Sequence, residues 1–395
     1  MTIVGTRPEI IRLSEIIKTC DLYFEQILVH TGQNYDYQLN QIFFKDLQLR
    51  APDFYLNAAK DEVGETIGSI IAKSYHLMAN VRPDAVLVLG DTNSCLSVIA
   101  AKRLHIPIFH LEAGNRCFDE RLPEETNRRI VDHIADVNLC YSEHARRYLL
   151  AEGVAKDRVF VAGSPMAEVL TKNLTQIRES KILKELGLVK QQYILLSAHR
   201  EENIDHEEAF YDVFTAINAL ADMYNVPIIY SCHPRAEKFI RERNFSFDER
   251  VRIHKPLGFH DYNQLQIQAL AVVSDSGTLP EEAAFFSSID LGFPAVCIRT
   301  STERPEAMAK GNFILAKTGV CPMKTRLPLF FKWGIRFEEV YEVPEQAARE
   351  VVYADRLELE EEIVRRSDFD EEDLWRGSVE SGKLEEASFL GGKAH

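Results

Sequence analysis

The residues best suited to chemistry fall in short polar cassettes, each placed just past a stretch that reads as a strand. Three carboxylates lie in the first half: Asp91 in GDTNS, Glu112 in HLEAGNR and Glu124 in PEETNR. In such a set, burial raises one acid so that it donates a proton while a neighbour stays ionised as the base. Arg116, Arg121 and Arg128 are at hand to keep these acids charged or to bind substrate. Arg128 also stands at i+4 from Glu124, where an ordinary helix pair accounts for it. Arg7 in GTRPE sits at a strand-to-helix transition, where backbone N–H groups and a guanidinium hold an anion. A surface ion pair is the plainer account of it.

In the second half, His199 of SAHREEN and His233 of SCHPR end successive strands. Ser276, Gly277 and Thr278 then precede Pro280, which opens a helix with Glu281 and Glu282 in its first turn. Main-chain donors there would face a phosphate, and a carboxylate there would accept a pair of sugar hydroxyls. Simple N-terminal capping is the structural alternative. GTRPE is not a dinucleotide fingerprint, GDTNS is not a phosphate-binding P-loop, and no HExxH or cysteine pair supplies metal ligands. Cys232 beside His233 is a poor nucleophile, because adjacent strand residues point to opposite faces.

The elements that must carry these cassettes alternate along the chain. Thr2–Val4, Phe24–His30, Asp84–Leu89, Ile106–Leu111 and Val137–Cys140 read as strands. Helices are expected over Ile10–Thr19, Val63–Ala79, Thr92–Arg103, Glu124–Ile134 and Glu143–Glu152. A second alternation places strands at Tyr193–Ser197, Val226–Tyr230, Val251–Ile253, Ala271–Val273 and Ala295–Ile298, with helices at Glu207–Met223, Tyr262–Gln268 and Pro280–Ser287. Near-continuous apolar strands separated by helices predict parallel sheets covered on both faces. The fold class is α/β, with two Rossmann-like doubly wound domains whose ligands lie past the carboxyl ends of the strands. The expected divisions are 1–170, a connection over 171–190, 191–360, and a helical extension and tail over 361–395.

With 395 residues, 46% of them hydrophobic, the chain can fill two cores. Its formal charge of −15 argues against nucleic-acid or anionic-membrane binding. Seven cysteines without a regular framework suit a reducing compartment. No run reaches membrane-spanning length, so a cytoplasmic location without membrane insertion is expected. Only Met1–Val4 precede GTRPE, which reads as a late start within a longer natural N-terminus.

Taken together and in order from Thr2 to about Glu360, these cassettes resemble the non-hydrolysing UDP-N-acetylglucosamine 2-epimerases. TGQNYDY at Thr31–Tyr37, GDTNSCLS, EAGNRCFD, SCHPR and SGTLPEEA are similar to the branch acting on UDP-2-acetamido-2,6-dideoxy-L-hexoses. That branch turns UDP-N-acetyl-L-talosamine into UDP-N-acetyl-L-fucosamine, or UDP-N-acetyl-L-rhamnosamine into UDP-N-acetyl-L-quinovosamine, for capsule or O-antigen assembly. The resemblance implies a glycosyltransferase-B arrangement with an interdomain cleft, a homodimer, and no NAD or metal cofactor. It implies catalytic roles for Asp91, Glu112, Glu124 and His199, and UDP-sugar binding by Arg7, Arg12, Arg128, His233, Ser276, Gly277, Thr278 and Glu282. Three departures stand out: Arg12 where the family has lysine, Thr278 where it has a second glycine, and Gln33–Asn34–Tyr35 where it has QHR. The alternatives are a UDP-N-acetyl-D-glucosamine 2-epimerase giving UDP-N-acetyl-D-mannosamine, a glycosyltransferase of the same cleft, and a non-catalytic UDP-sugar binding protein.

Overall fold

Apolar parallel strands bury their side chains only when helices cover both faces. A computed structural model describes residues 1–32 and 37–316. Strands β1 (Thr2–Val4), β2 (Leu28–His30), β3 (Phe54–Tyr55), β4 (Val86–Leu89), β5 (Ile108–Ala113), β6 (Val137–Cys140) and β7 (Val159–Val161) form one sheet in the order β3-β2-β1-β4-β5-β6-β7. Strands β8 (Ile194–Ser197), β9 (Ile228–Ser231), β10 (Val251–His254), β11 (Ala271–Ser274), β12 (Ala295–Cys297) and β13 (Ile314–Leu315) form a second, ordered β10-β9-β8-β11-β12-β13. All the pairings are parallel. Each sheet thus has the doubly wound Rossmann order, in line with the glycosyltransferase-B reading.

In each sheet the winding reverses between two neighbouring strands: β1 and β4 in the first, β8 and β11 in the second. Ligands bind past the carboxyl ends at such switch points. The four cassettes leaving these strands are GTRPE, GDTNS, SAHREEN and SDSGT. Sequence order alone therefore delivers the polar loops to the crevices.

The first covering helix, Arg7–Tyr23, buries Ile10, Leu13 and Ile17 at helical spacing. They join one apolar cluster with Val169, Leu170 and Ile177 of the helix Met166–Glu179, and with Leu265, Ala283 and Phe286 of the second half. The stretch expected as a connection is thus helical, and its apolar face lies in the main core. The other face of the first sheet packs Met78, Val98, Ala101 and Val131 against Val86, Val88 and Ile108. Among the described residues no helix is long and apolar enough to cross a membrane.

Several expected boundaries move. The strand expected from Phe24 begins at Leu28, because Phe24 caps the preceding helix with its N–H on the Cys20 carbonyl and is 70% exposed. The helix expected over Thr92–Arg103 is a 3-10 segment, Asn93–Ser97, followed by an α-helix from Val98. Thr92 explains this: its hydroxyl accepts the Ser94 N–H at 3.2 Å and tightens the first turn. β5 runs two residues beyond Leu111, and its register with β6 shifts between Leu111 and Ala113. The helices Tyr37–Asp46 and Pro234–Glu242 and the strands β3 and β7 were not expected. The expected tail 361–395, the end of the 191–360 division and Gln33–Asn34–Tyr35 lie outside the described residues.

The turn after β5 depends on one glycine. Gly114 has φ +78°, and an added Cβ would collide with the Ala145 carbonyl. Gly114→Ala should lose about 1–3 kcal/mol from backbone strain alone, with more from the collision. Chemical unfolding measures it, and a variant as stable as wild type would show that this turn does not constrain the loop.

Candidate active site

Past the carboxyl ends of β1, β8, β9 and β11, one cavity is lined by Arg7, His199, His233, Ser276, Gly277, Thr278 and Glu282. Phe43, Leu257 and Phe259 give it an apolar wall, and the Arg7 guanidinium lies 5.6 Å from the Phe43 ring centre. A flat base, a diol and an anion would each find matching chemistry here.

His233 caps the helix Pro234–Glu242: its Nδ1 accepts the Arg235 N–H at 3.2 Å. The proton of the neutral ring is therefore on Nε2, which leaves that nitrogen as a donor. Burial, then the neighbouring His199, Arg7 and Arg235, push its pKa down to about 4. The His199 ring stacks on it at 5.6 Å between centroids. His199 Nδ1 lies 3.1 Å from Asp275 Oδ1. Asp275 Oδ2 accepts the backbone N–H groups of His199 and Arg200 at 2.7 and 2.8 Å, and the Asn203 amide at 3.0 Å. Burial works against this carboxylate, but His199 and the other donors hold its pKa well below the usual range.

Thr278 caps the helix Leu279–Ser288 with φ −88° and ψ −19°, so threonine replaces the family's second glycine without backbone strain. Its N–H reaches Ser276 Oγ at 3.3 Å, and the Ser276 N–H reaches Ser274 Oγ at 3.0 Å. Glu282 is buried and accepts the Gln266 side-chain amide at 2.7 Å, with burial pushing its pKa up.

The three carboxylates of the first half are not on the cavity wall but in an ionic network beside it. Glu112 sits at the β5 irregularity with φ +65°, a left-handed conformation that non-glycine residues rarely adopt. This turns its side chain over Gly90, where an added Cβ would lie 3.1 Å from Glu112 Oε2. Arg12 Nη1 meets Glu112 Oε2 at 2.8 Å, Arg304 Nη2 meets Oε1 at 2.6 Å, and the Asn115 amide approaches Oε1 at 3.3 Å. Burial pushes the Glu112 pKa up, opposed by Arg12 and Arg304. Asp91 is held by Arg128 through Nε at 2.8 Å and Nη2 at 2.7 Å. Arg128 also pairs with Glu125 at 2.9 Å. The local Glu124–Arg128 pair is therefore not what Arg128 makes. Glu124 instead faces Arg200 at 3.8 Å, and Arg200 lines the cavity.

Arg12 and Arg128, expected at the nucleotide, are held by acids off the cavity wall. Arg12 nevertheless touches it, through Nη2 to the Gly277 carbonyl at 3.2 Å. Among the described residues no group of His, Cys, Asp and Glu is gathered as metal ligands would be.

Sequence reasoning gave no role to Asp275 in SDSGT, Arg304 in TSTERPE (Thr300–Glu306) or Glu9 in GTRPE, and named Glu281 only beside Glu282. Glu9 is buried, takes the N–H groups of Gly5 and Thr6 at 2.9 and 2.6 Å, and accepts the Thr92 hydroxyl at 2.9 Å. Burial pushes its pKa up to about 7. It ties the loops after β1 and β4 together, and the capping-box spacing Thr6–Glu9 was the available signal.

Comparison with known proteins bears on what this arrangement is. A family model described as UDP-N-acetylglucosamine 2-epimerase matches residues 18–324, a span that takes in Asp91 through Glu282. The chain is 44% identical to a UDP-N-acetylglucosamine 2-epimerase of known structure from Rickettsia bellii, over 84% of this chain and 87% of that one, with a TM-score of 0.77. It is 32% identical to the Methanocaldococcus jannaschii UDP-GlcNAc 2-epimerase crystallised with UDP-GlcNAc and UDP, over 85% and 92% of the two chains, with a TM-score of 0.78. A Pseudomonas aeruginosa relative named UDP-2,3-diacetamido-2,3-dideoxy-D-glucuronate 2-epimerase is 31% identical over 80% of this chain and 87% of that one. With the family model and the fold in agreement, the chain belongs to the UDP-N-acetylglucosamine 2-epimerase family and is an enzyme of the isomerase class.

Proposed function

We propose that this enzyme reversibly inverts C2 of a UDP-activated 2-acetamido sugar by eliminating UDP and adding it back. The observation that carries the reading is a cavity lined by Arg7, His233, Ser276 and Glu282 beside a buried acid, Glu112, fixed in left-handed backbone. In the forward step a base takes the C2 proton and the C–H electrons form a C1–C2 double bond. The C1–O bond breaks with its electron pair leaving on UDP. In the second step UDP re-attacks C1 while a proton reaches C2 from the opposite face. No electrons are gained or lost overall, so the scheme calls for no redox cofactor such as NAD.

Each demand of the scheme has residues to meet it. Charge develops on the departing diphosphate, where Arg7, the His233 Nε2–H and the helix start at Ser276–Thr278 supply donors. Glu282, fixed by Gln266, suits the ribose diol. Two proton-transfer groups are needed on opposite faces of C2, drawn from Asp91, Glu112 and Glu124. His199, oriented by Asp275, completes the set.

For the sugar, we propose the 6-deoxy-L series, on the NSCLS, GNRCFD and SGTLPEE variants. The second reading is UDP-N-acetyl-D-glucosamine, favoured by the names of the Rickettsia and Methanocaldococcus relatives.

Incubation with each UDP-sugar in deuterated water, without an acceptor, should give epimerisation with deuterium at C2. No exchange with any of them would defeat the reading. Asp91→Asn, Glu112→Gln and Glu124→Gln should each lower kcat by about 10²–10⁴-fold while UDP still binds in calorimetry. Three variants with wild-type kcat would remove the chemistry from these acids. Glu282→Gln should weaken UDP, and unchanged affinity would reject the ribose role. A kcat/KM higher for the D-gluco substrate than for UDP-N-acetyl-L-talosamine and UDP-N-acetyl-L-rhamnosamine would overturn the L-series alone.

A further inference from the structure

Glu112 is gripped by two guanidiniums from opposite halves of the molecule. Arg12 comes from the helix after β1, and Arg304 from the segment after β12, 192 residues away in sequence. Arg304 is 4% exposed. Its Nε and Nη2 both bind Glu281 Oε1, at 3.2 and 2.7 Å, which fixes the plane of the guanidinium. Its face lies 5.0 Å from the Tyr141 ring centre. Glu281 also reaches Arg12, with Oε2 at 3.3 Å from Nε. The four side chains close a ring of alternating charge: Glu112, Arg12, Glu281, Arg304. The elimination scheme uses neither Glu281 nor Arg304.

We propose that Arg304 and Glu281 are positioning residues for Glu112, Arg304 orienting its carboxylate and favouring its charge, and Glu281 fixing Arg304 and tempering that field. The inference rests on the reading of Glu112 as a proton-transfer group. Two opposed actions follow from the ring. A guanidinium hydrogen-bonded to a buried carboxylate favours its ionised form, and a second carboxylate nearby disfavours it. The charged and titratable groups facing Glu112 are Arg12 from the first helix, Asp91 after β4, His110 on β5 itself, Tyr141 after β6, the Cys95 thiol, Glu281 and Arg304. Of these, Arg12 and Arg304 pull the Glu112 pKa down, while Glu281 and Asp91 push it up together with burial. Arg12 also binds the cavity wall at Gly277, whereas the Nε and Nη2 of Arg304 are both spent on Glu112 and Glu281.

The signs can be worked out for each variant. Arg304→Gln removes a cation, so Glu112 should titrate higher. Glu281→Gln removes an anion, so it should titrate lower. Arg304→Lys restores the charge without the planar fork, so the titration should return toward wild type while kcat stays reduced. A packing role alone would not move the two neutral variants in opposite directions.

The test uses the full chain labelled with carboxyl-¹³C glutamate, with the Glu112 resonance identified by its loss in Glu112→Gln. It is followed from about pH 4 to about pH 9, a range wide enough to hold a shifted carboxyl. The acid limb of C2 exchange should move with it, so that a rise of about one unit costs about tenfold in rate at a fixed pH on that limb. Unmoved titration in all three variants, or a shift of the same sign in Arg304→Gln and Glu281→Gln, would overturn the proposal. Should Arg304→Gln not fold, the proposal stands or falls on a downward shift in Glu281→Gln and on reduced kcat with near-wild-type titration in Arg304→Lys. Opposed shifts without any C2 exchange in wild type would defeat the epimerase reading and leave the ring's action standing. Exchange with unmoved titration would do the reverse.

Discussion

A carboxylate stripped of water must be surrounded by donors or lose its charge. Glu112 is such a group, and the structure around it is arranged to meet that demand. The left-handed residue at the end of β5 aims the side chain over Gly90, where a larger residue would press on it. Arg12 then needs the first helix to start where it does, at Arg7 with Thr6 as its cap just after Gly5. Gly5 in turn has no room for a side chain, since a Cβ would collide with the hydroxyls of Thr31 and Ser94. Arg304 brings the second half to the same carboxylate. The polar loops past the two sheets are thus joined through charge as well as through the apolar cluster beneath them.

The second half solves a similar problem with different parts. Asp275 is fully buried at the end of β11 and meets only donors: two backbone N–H groups, an amide and the His199 ring. Its charge is held without a guanidinium, and it fixes both the loop and the imidazole. Burial, followed by the neighbouring His199, Arg7 and Arg235, keeps His233 neutral, and its Nδ1, spent on the helix start, fixes the tautomer. Both imidazoles are therefore oriented by contacts outside the cavity, which leaves their other nitrogens for a ligand.

Much of this was legible in the sequence. The alternation of apolar strands and amphipathic helices gave both sheets, and a doubly wound order sends successive strand ends to one edge. That is why Arg7, His199, His233, Ser276 and Glu282, scattered over the chain, line one cavity. Pairings were not legible in the same way. Spacing offered Glu124 as the partner of Arg128, whereas Asp91, distant in sequence, is bound in two contacts. Nor could any periodicity reveal the Glu112–Arg304 contact, because it depends on how two separately wound sheets face each other. The shifted boundaries have local causes: side chains such as Thr92 compete with the regular backbone ladder, and a capping contact at Phe24 ends a helix where apolar character alone suggests a strand.

The exchange of lysine for Arg12 also acquires a physical meaning. An ammonium is a compact point charge, whereas a guanidinium spreads donors over a rigid plane. Arg12 uses that plane at three places: Nη1 on Glu112, Nη2 on the Gly277 carbonyl and Nε toward Glu281. These acceptors belong to β5, to the loop after β11 and to the helix that follows it. One side chain from the first helix thus spans the buried acid and the Ser276–Thr278 loop of the cavity wall. With Thr278 in place of a glycine, that loop loses freedom but keeps its shape, since its φ is one that any residue adopts. These two of the three departures from the family pattern therefore meet at Gly277 and stiffen the same junction between the buried acid and the cavity wall.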